Sequence, residues 1–235
     1  MALLGQAAVA IWSDMQDPAA HDHWHSHEHL LERLGIPGFL RARRMVALEV
    51  VEVLEMTAPR YFVLYEVANA EVMTSPAYLH CLNQPSPWTT RTMAANRSLH
   101  RTLCSVRSSH GHGVGGHMLV LPVAPLPGQE DQLRDWLKGE VLPSLAAQAG
   151  LVGAHYLERD NTHERPATEE ERLRGRPDGS VPALLLVEGY APEVLRQVLH
   201  TLLGESGLSA HGGGAQSTLP GQIYTLAHQM TPADL

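Results

Sequence analysis

The residues with the most chemical potential lie in one run, His21-Asp22-His23-Trp24-His25-Ser26-His27-Glu28-His29, which holds five of the chain's 15 histidines. An imidazole titrates near neutrality and can relay a proton, and a neighbouring carboxylate can orient it or raise its pKa. On an α-helix, residues four apart share a face, which stacks His21, His25 and His29 in one row. Trp24 and Leu31 then face the core, and Glu28 and His29 fall at the border with solvent, where a pocket would open. The spacing therefore assigns His29 as general acid or base, Glu28 as the group that orients or charges it, His25 as its assistant and Trp24 as an apolar wall. His21, His23 and His27 are expected on the solvated face. His25 and His29 also have the spacing of a metal-ligand pair, but the run is not His-Glu-x-x-His and no third ligand is fixed, so no metal is expected. A haem held beside Trp24 is the other cofactor alternative.

Weaker candidates lie elsewhere. His110 and His112 belong to His110-Gly111-His112-Gly113-Val114-Gly115-Gly116-His117, whose glycines would let backbone approach a ligand. This is not a phosphate loop, because the Lys-Ser or Lys-Thr ending is missing. Trp88 follows Pro85-Ser86-Pro87, where an extended turn would lay the indole over a pocket mouth. Among Arg41, Arg43 and Arg44, which partly alternate with Phe39 and Ala42, Arg43 is taken as the one turned toward an anionic substrate group. Glu66 and Glu188 hold matching places on apolar strands and predict a polar cluster at each sheet end, with Glu66 counted among the substrate-binding residues. Cys81 and Cys104 lack Cys-x-x-Cys spacing and are expected only to pack.

The elements that must position these groups follow from patterning. Residues 7–12 form a short apolar run fit for a buried strand, and Asp17-Pro18 opens a helix that Gly35 and Pro37 stop. Strands follow at 39–46 and 61–67, a helix at 70–81 ending before Pro85, and a strand at 99–106. The order is β-α-β-β-α-β, the ferredoxin-like arrangement. It recurs as strand 117–123, a helix over 129–149 broken at Pro143, strands 153–158 and 183–189, helix 192–203 and strand 222–228. The segment 159–180, dense in charge, Pro and Gly, reads as a solvated loop, and 206–214 as a flexible stretch.

The halves also align residue by residue. Trp24 matches Trp136 and Glu28 matches Glu140 at an offset of 112, whereas 61–66 matches 183–188 and Glu71-Val72 matches Glu193-Val194 at an offset of 122. Pairing 36–39 with 151–154 at an offset of 115 places one short insertion before the second strand. The expected fold is α+β, two tandem ferredoxin-like βαββαβ repeats forming an intrachain dimeric α+β barrel. Residues 1–116 would hold the histidine site and 117–235 would be largely structural.

Composition sets the outer limits. With 235 residues the chain can bury a core without staples, and 17 Lys and Arg against 25 Asp and Glu leave a net −8, which argues against nucleic acid as a partner. Hydrophobic residues at 44% and charged ones at 18% suit a folded globule. No apolar run has the length of a membrane span and the first 15 residues lack the basic flank of an export signal, so no membrane partner and a cytoplasmic location are expected.

The run 24–44 resembles the EthD-type proteins of the dimeric α+β barrel superfamily, with an aromatic residue, then Glu28-His29, then Pro37-Gly38-Phe39 entering the second strand. Tyr65-Glu66, Thr74-Ser75-Pro76-Ala77-Tyr78 and Pro85-Ser86-Pro87-Trp88 resemble members of the same group. The resemblance is specific over 7–106 and architectural beyond it, and His27 and Leu31 stand where an acidic residue and Pro are common. It implies a small cofactor-free enzyme, since the superfamily includes cyclases, isomerases and monooxygenases, beside haem-binding branches. The expected activity is histidine acid/base chemistry on a small cyclic or aromatic keto or enol compound: isomerisation, cyclisation, decarboxylation or ring modification. The alternative is a module that captures a small molecule, haem or metal without catalysis. Either form leaves room for pairing into a homodimer.

Overall fold

Eight apolar runs become the strands of one closed sheet. The computed structural model describes residues 3–48, 59–163, 167–175, 178–215 and 219–235, with backbone only at 97–99 and 215. The strands are β1 (Ala7–Met15), β2 (Phe39–Ala47), β3 (Tyr61–Val67), β4 (Asn96–Gly111), β5 (His117–Pro125), β6 (Leu151–Arg159), β7 (Ala183–Gly189) and β9 (Gln222–Met230), with a short β8 (Gly213–Ala215) beside β5. The first repeat pairs in the order β4-β1-β3-β2 and the second in the order β9-β5-β7-β6. Antiparallel seams β2–β9 and β4–β6 join the two sheets into a barrel. This is the intrachain α+β barrel expected from the repeat.

Closure explains why β3 and β7 are buried at every position instead of alternating. One face of each strand lines the barrel interior, where Trp12, Phe62, Leu64, Met118, Leu186 and Tyr224 pack together. The other face lies under helices, which gives each repeat its own outer core. Among the described residues, no helix is long and apolar enough to cross a membrane.

The helices are α1 (Pro18–Trp24, then a π-helical turn His25–His29, then Leu30–Leu34), α2 (Pro76–Asn83) and α3 (Pro87–Ala94) in the first repeat. The second has α4 (Glu130–Trp136, a π-turn Leu137–Val141, then Leu142–Ala147), α5 (Glu169–Arg174) and α6 (Pro192–Leu203). Asp17, Ser75 and Ser86 cap α1, α2 and α3 through their side chains, each followed by Pro at the first helical position. Thus Pro85-Ser86-Pro87 does not lead an extended turn; it starts a helix. The expected helix at 70–81 divides into a 3-10 turn, Ala70–Thr74, and α2. Residues 206–214 are also built, as a 3-10 turn Leu208–His211 entering β8, with His211 stacked 3.9 Å from Trp136.

The two π-turns correct the expected helix faces. An i→i+5 turn holds one extra residue and rotates everything after it, so Leu30 and Leu34 are buried while Leu31 is only half-buried. In α4 the turn precedes Pro143, and the helix runs on through it instead of breaking. The π-turns lie 112 residues apart, as do Gly38 (φ +97°) and Gly150 (φ +92°). The offset of 112 therefore continues into the second strand, and the extra length falls between the second and third strands of the repeat. At each glycine a side chain would strike a valine, Val72 or Val194, so both positions require glycine for conformation and for space.

Candidate active site

α1 lies over the first sheet, and beneath it opens a narrow cavity, ≈ 700 Å³ only when the open solvent at its mouth is counted. Val9, Ile11, Phe39 and Val63 supply an apolar wall from the sheet. His21, His25 and His29 line the opposite side and are 2%, 3% and 6% exposed. His21 is thus a cavity residue, not the solvated one expected, whereas His23 and His27 are exposed. Successive rings are 5.2 Å and 5.4 Å apart, and Trp24 packs 4.4 Å from His29.

Burial is the main force on these imidazoles, because it disfavours the charged form. It brings His21 down to about 4, against Asp22, which acts the other way. It holds His25 and His29 well below the usual histidine value, assisted by His21 and Arg44 around His25 and by Arg33 beside His29. All three are neutral at pH 7. His25 Nε2 lies 3.3 Å from the Tyr65 hydroxyl, and burial raises the Tyr65 pKa, so Tyr65 keeps its proton. The Nδ1 atoms of His25 and His29 are buried and have no hydrogen-bond partner among the described residues.

The cavity has a second polar region that sequence reasoning missed. Arg33 pairs with Glu170, contacts the Cys81 sulfur and sits 5.9 Å from the centre of the Tyr78 ring. Burial opposes the Arg33 charge most strongly of any single influence, but Glu170 together with Tyr78, Cys81 and Tyr65 outweighs it and the pKa rises. Glu170, Thr168 and Arg174 reach the cavity from the segment expected to be a solvated loop. Thr168 and Glu170 are buried. One signal was present: Thr168-x-x-Glu171 is a capping box, and it opens α5. Arg101 enters from β4 and donates to the Tyr78 hydroxyl at 3.2 Å.

Several expected site residues stand elsewhere. Glu28 does not meet His29; its Oε1 accepts from Ser86 Oγ (2.6 Å), Thr89 Oγ1 (3.0 Å) and Trp24 Nε1 (3.1 Å), which clips α1 to α3. Replacing Glu28 with Ala leaves the Ser86 and Thr89 hydroxyls without this acceptor, while Trp24 Nε1 keeps Thr89 Oγ1 at 3.2 Å, and should destabilise the fold by about 1–3 kcal/mol. Thermal unfolding will measure that loss, and a variant as stable as the parent would contradict the clip. Trp88 is half-buried and meets exposed His23 edge-on at 5.1 Å, outside the cavity. His110 is held by Ser108 Oγ at 3.0 Å and His112 is exposed; neither lines the cavity. In the same loop, Gly115 lies so close to the Gly189 backbone that a side chain would not fit.

Arg43 and Glu66 belong to the barrel interior. Arg43 bridges Glu66 (3.0 Å) and Glu188 (2.8 Å), Arg41 pairs with Glu66 (2.7 Å), and His155 lies 3.4 Å from Glu188. Burial opposes ionisation of Glu188, but Arg43 and His155 outweigh it and bring its pKa to about 2. The two glutamates thus form one cluster instead of one at each sheet end, since the repeat symmetry brings their strands together inside the barrel. Cys104 is wholly buried and its thiol is pushed up to about 12 by burial. Among the described residues, no three His, Cys, Asp or Glu side chains gather as a metal-ligand set.

No family model matches the chain, and no curated protein matches it in sequence. Solved structures do match in fold over nearly the whole length. An anthrone oxidase-like protein is similar with a TM-score of 0.59 at 9% identity, over 96% of this chain and 92% of its own. A proposed monooxygenase from Lactobacillus acidophilus NCFM is similar with a TM-score of 0.55 at 8% identity, over 97% of each chain. A heme-binding protein from Thermus thermophilus is similar with a TM-score of 0.51 at 9% identity, over 95% of this chain and 92% of its own. The class is that of ferredoxin-like α+β barrels, here closed within one chain; the likeness does not single out the EthD-type branch.

Proposed function

We propose that the protein is a small-molecule enzyme whose α1 cavity carries out histidine acid/base chemistry on a cyclic or aromatic keto or enol compound. One internal comparison carries this reading. At the offsets of 112 and 122, His21, His25, His29, Arg33 and Tyr65 correspond to Leu133, Leu137, Val141, Leu145 and Val187. In the second repeat these residues are, or pack against, the apolar core. The same backbone, π-turn included, is therefore satisfied by aliphatic side chains, and the polar set answers to something other than folding. The resemblance of 24–44 to EthD-type proteins and the names of two fold neighbours, an anthrone oxidase-like protein and a proposed monooxygenase, support a small-molecule enzyme.

The hydrogen bonds suggest distinct roles. If Tyr65 donates to His25 Nε2, His25 carries its proton on Nδ1 and assists as a neutral imidazole in the cavity wall. His29, neutral in the cavity wall, is then the base that removes the acidic C–H proton and returns it. The apolar wall holds the ring system, and Trp24 flanks His29.

Anthrone is a suitable probe, because its methylene is acidified through the aromatic rings by the carbonyl. Exchange of that methylene with solvent deuterium, followed by NMR without oxygen, should be catalysed by the protein. His29→Gln and His25→Gln should each lower it by about 10²-fold or more. Since the imidazoles stay neutral below their usual pKa, the rate should hold from pH 7 down through pH 6. Exchange at the buffer rate, or full exchange by His29→Gln, would remove the proposal. Anthrone binding without exchange would indicate a capture module, and a Soret band after addition of hemin would indicate the haem alternative.

A further inference from the structure

The charges around the α1 cavity do not balance. Arg33, Arg101 and Arg174 line it, against one carboxylate, Glu170. Arg33 is matched by Glu170, and Arg174 is matched by Asp178 through two contacts at 3.1 and 2.8 Å. Among the described residues no carboxylate comes within ion-pair distance of Arg101, and its hydrogen-bond partner is the neutral Tyr78 hydroxyl. The acids that act on it from further away are already engaged: Asp178 by Arg174, and Glu171 by the Thr168 backbone amide at 2.9 Å. The three neutral histidines add no negative charge. In a chain of net −8, the cavity thus keeps an unmatched guanidinium. Arg101 is half-buried, so its charge is partly withdrawn from water without a counter-ion, and a planar guanidinium fits a carboxylate through two parallel hydrogen bonds.

We propose that Arg101, with the Tyr78 hydroxyl beside it, is the subsite for a carboxylate borne by the aromatic ligand of the α1 cavity. Its register places it there: Arg101 pairs with Ile11 across β4 and β1, and both side chains point to the helix-covered face, while Thr102 and Cys104 take the other. Tyr78 accepts from Arg101 and keeps its own O–H to donate to the second carboxylate oxygen. The histidines approach from α1 and Arg101 from the sheet, so a ligand anchored at Arg101 would present its ring to the histidine row. The corresponding position in the second repeat, 120 residues on by strand register, is Gly221, so this cation too is confined to the first cavity.

This inference rests on the α1 cavity being the ligand site, but its test does not need turnover. 2-Naphthoate and 2-naphthamide have the same shape and differ in charge, and their affinities can be compared by titration calorimetry. The parent protein should bind the naphthoate about tenfold or more tightly than the amide, the effect of a charge-assisted pair. Arg101→Gln should remove that preference and leave amide affinity within about twofold, and Arg101→Lys should restore part of it. Equal affinity of the two probes for the parent, no naphthoate binding at millimolar concentration, or an unchanged preference in Arg101→Gln would overturn the subsite. A naphthoate preference together with anthrone exchange at the buffer rate would leave the subsite standing and remove the catalytic reading.

Discussion

Exchanging His25 for Leu and His29 for Val, the residues at the matching places of the second repeat, should make the protein more stable and inactive. Each imidazole is buried with an Nδ1 that meets no partner among the described residues, and each aliphatic replacement already packs over the same π-turn in α4. Removing an unsatisfied polar group from a core and adding apolar area is worth about 1–2 kcal/mol per site. Tyr65→Phe belongs in the same variant, because the Tyr65 hydroxyl would otherwise lose its His25 partner. At about 2–4 °C per kcal/mol for a chain of this size, the midpoint should rise by several degrees. Anthrone exchange should fall by about 10²–10⁴-fold. Calorimetry and the exchange assay decide together: a lower midpoint with unchanged exchange would make the histidines structural. Stability given up at one place in a duplicated fold is the signature of a working site.

Acid should unfold the protein from an unusually high pH. The sign follows from the three cavity histidines, whose folded pKa values lie below the ordinary 6.5, about 4 for His21. Below pH 6.5 the unfolded chain takes up protons that the folded chain refuses, so stability is full above that value and is lost as pH falls toward the folded pKa. Each group contributes about 1 kcal/mol of loss between pH 6.5 and 5.5, and the three together about 3 kcal/mol. Glu188, lowered to about 2, acts only below the ordinary carboxylate range and leaves this window to the histidines. Urea midpoints at pH 7.5, 6.5 and 5.5 will show the fall, and the aliphatic variant should flatten most of it. A parent protein equally stable at pH 7.5 and 5.5 would mean that the imidazoles are not sealed in the core.

The histidine run, Trp24 and the cap Asp17-Pro18 are local signals, and helical spacing alone brought His25 and His29 to one face. What misled the helical wheel was one extra residue: the π-turn exchanged Leu31 for Leu30 at the sheet, and α-helical periodicity carries no mark of it. His21 shows a related limit, since the row was legible but which part of it faced the core was not. Arg43 and Glu66 were placed at a ligand because strand alternation cannot say whether a face meets helices or the inside of a barrel. Charge density in 159–180 suggested solvent, yet Glu170 is drawn inward by Arg33, a partner 137 residues away.

Local chemistry, then, was written in the chain: a duplicated βαββαβ order, its turns and caps, and a run of imidazoles on the first helix of one copy. Which groups share a cavity was settled by closure. Seams β2–β9 and β4–β6 turned one face of every strand inward, placed both glutamates on Arg43, and left the first repeat's outer face to form the cavity with α1 and α5. The reason is physical. Turns, caps and periodicity depend on neighbours a few residues apart, whereas burial and ion pairing depend on surfaces that exist only after distant strands have met.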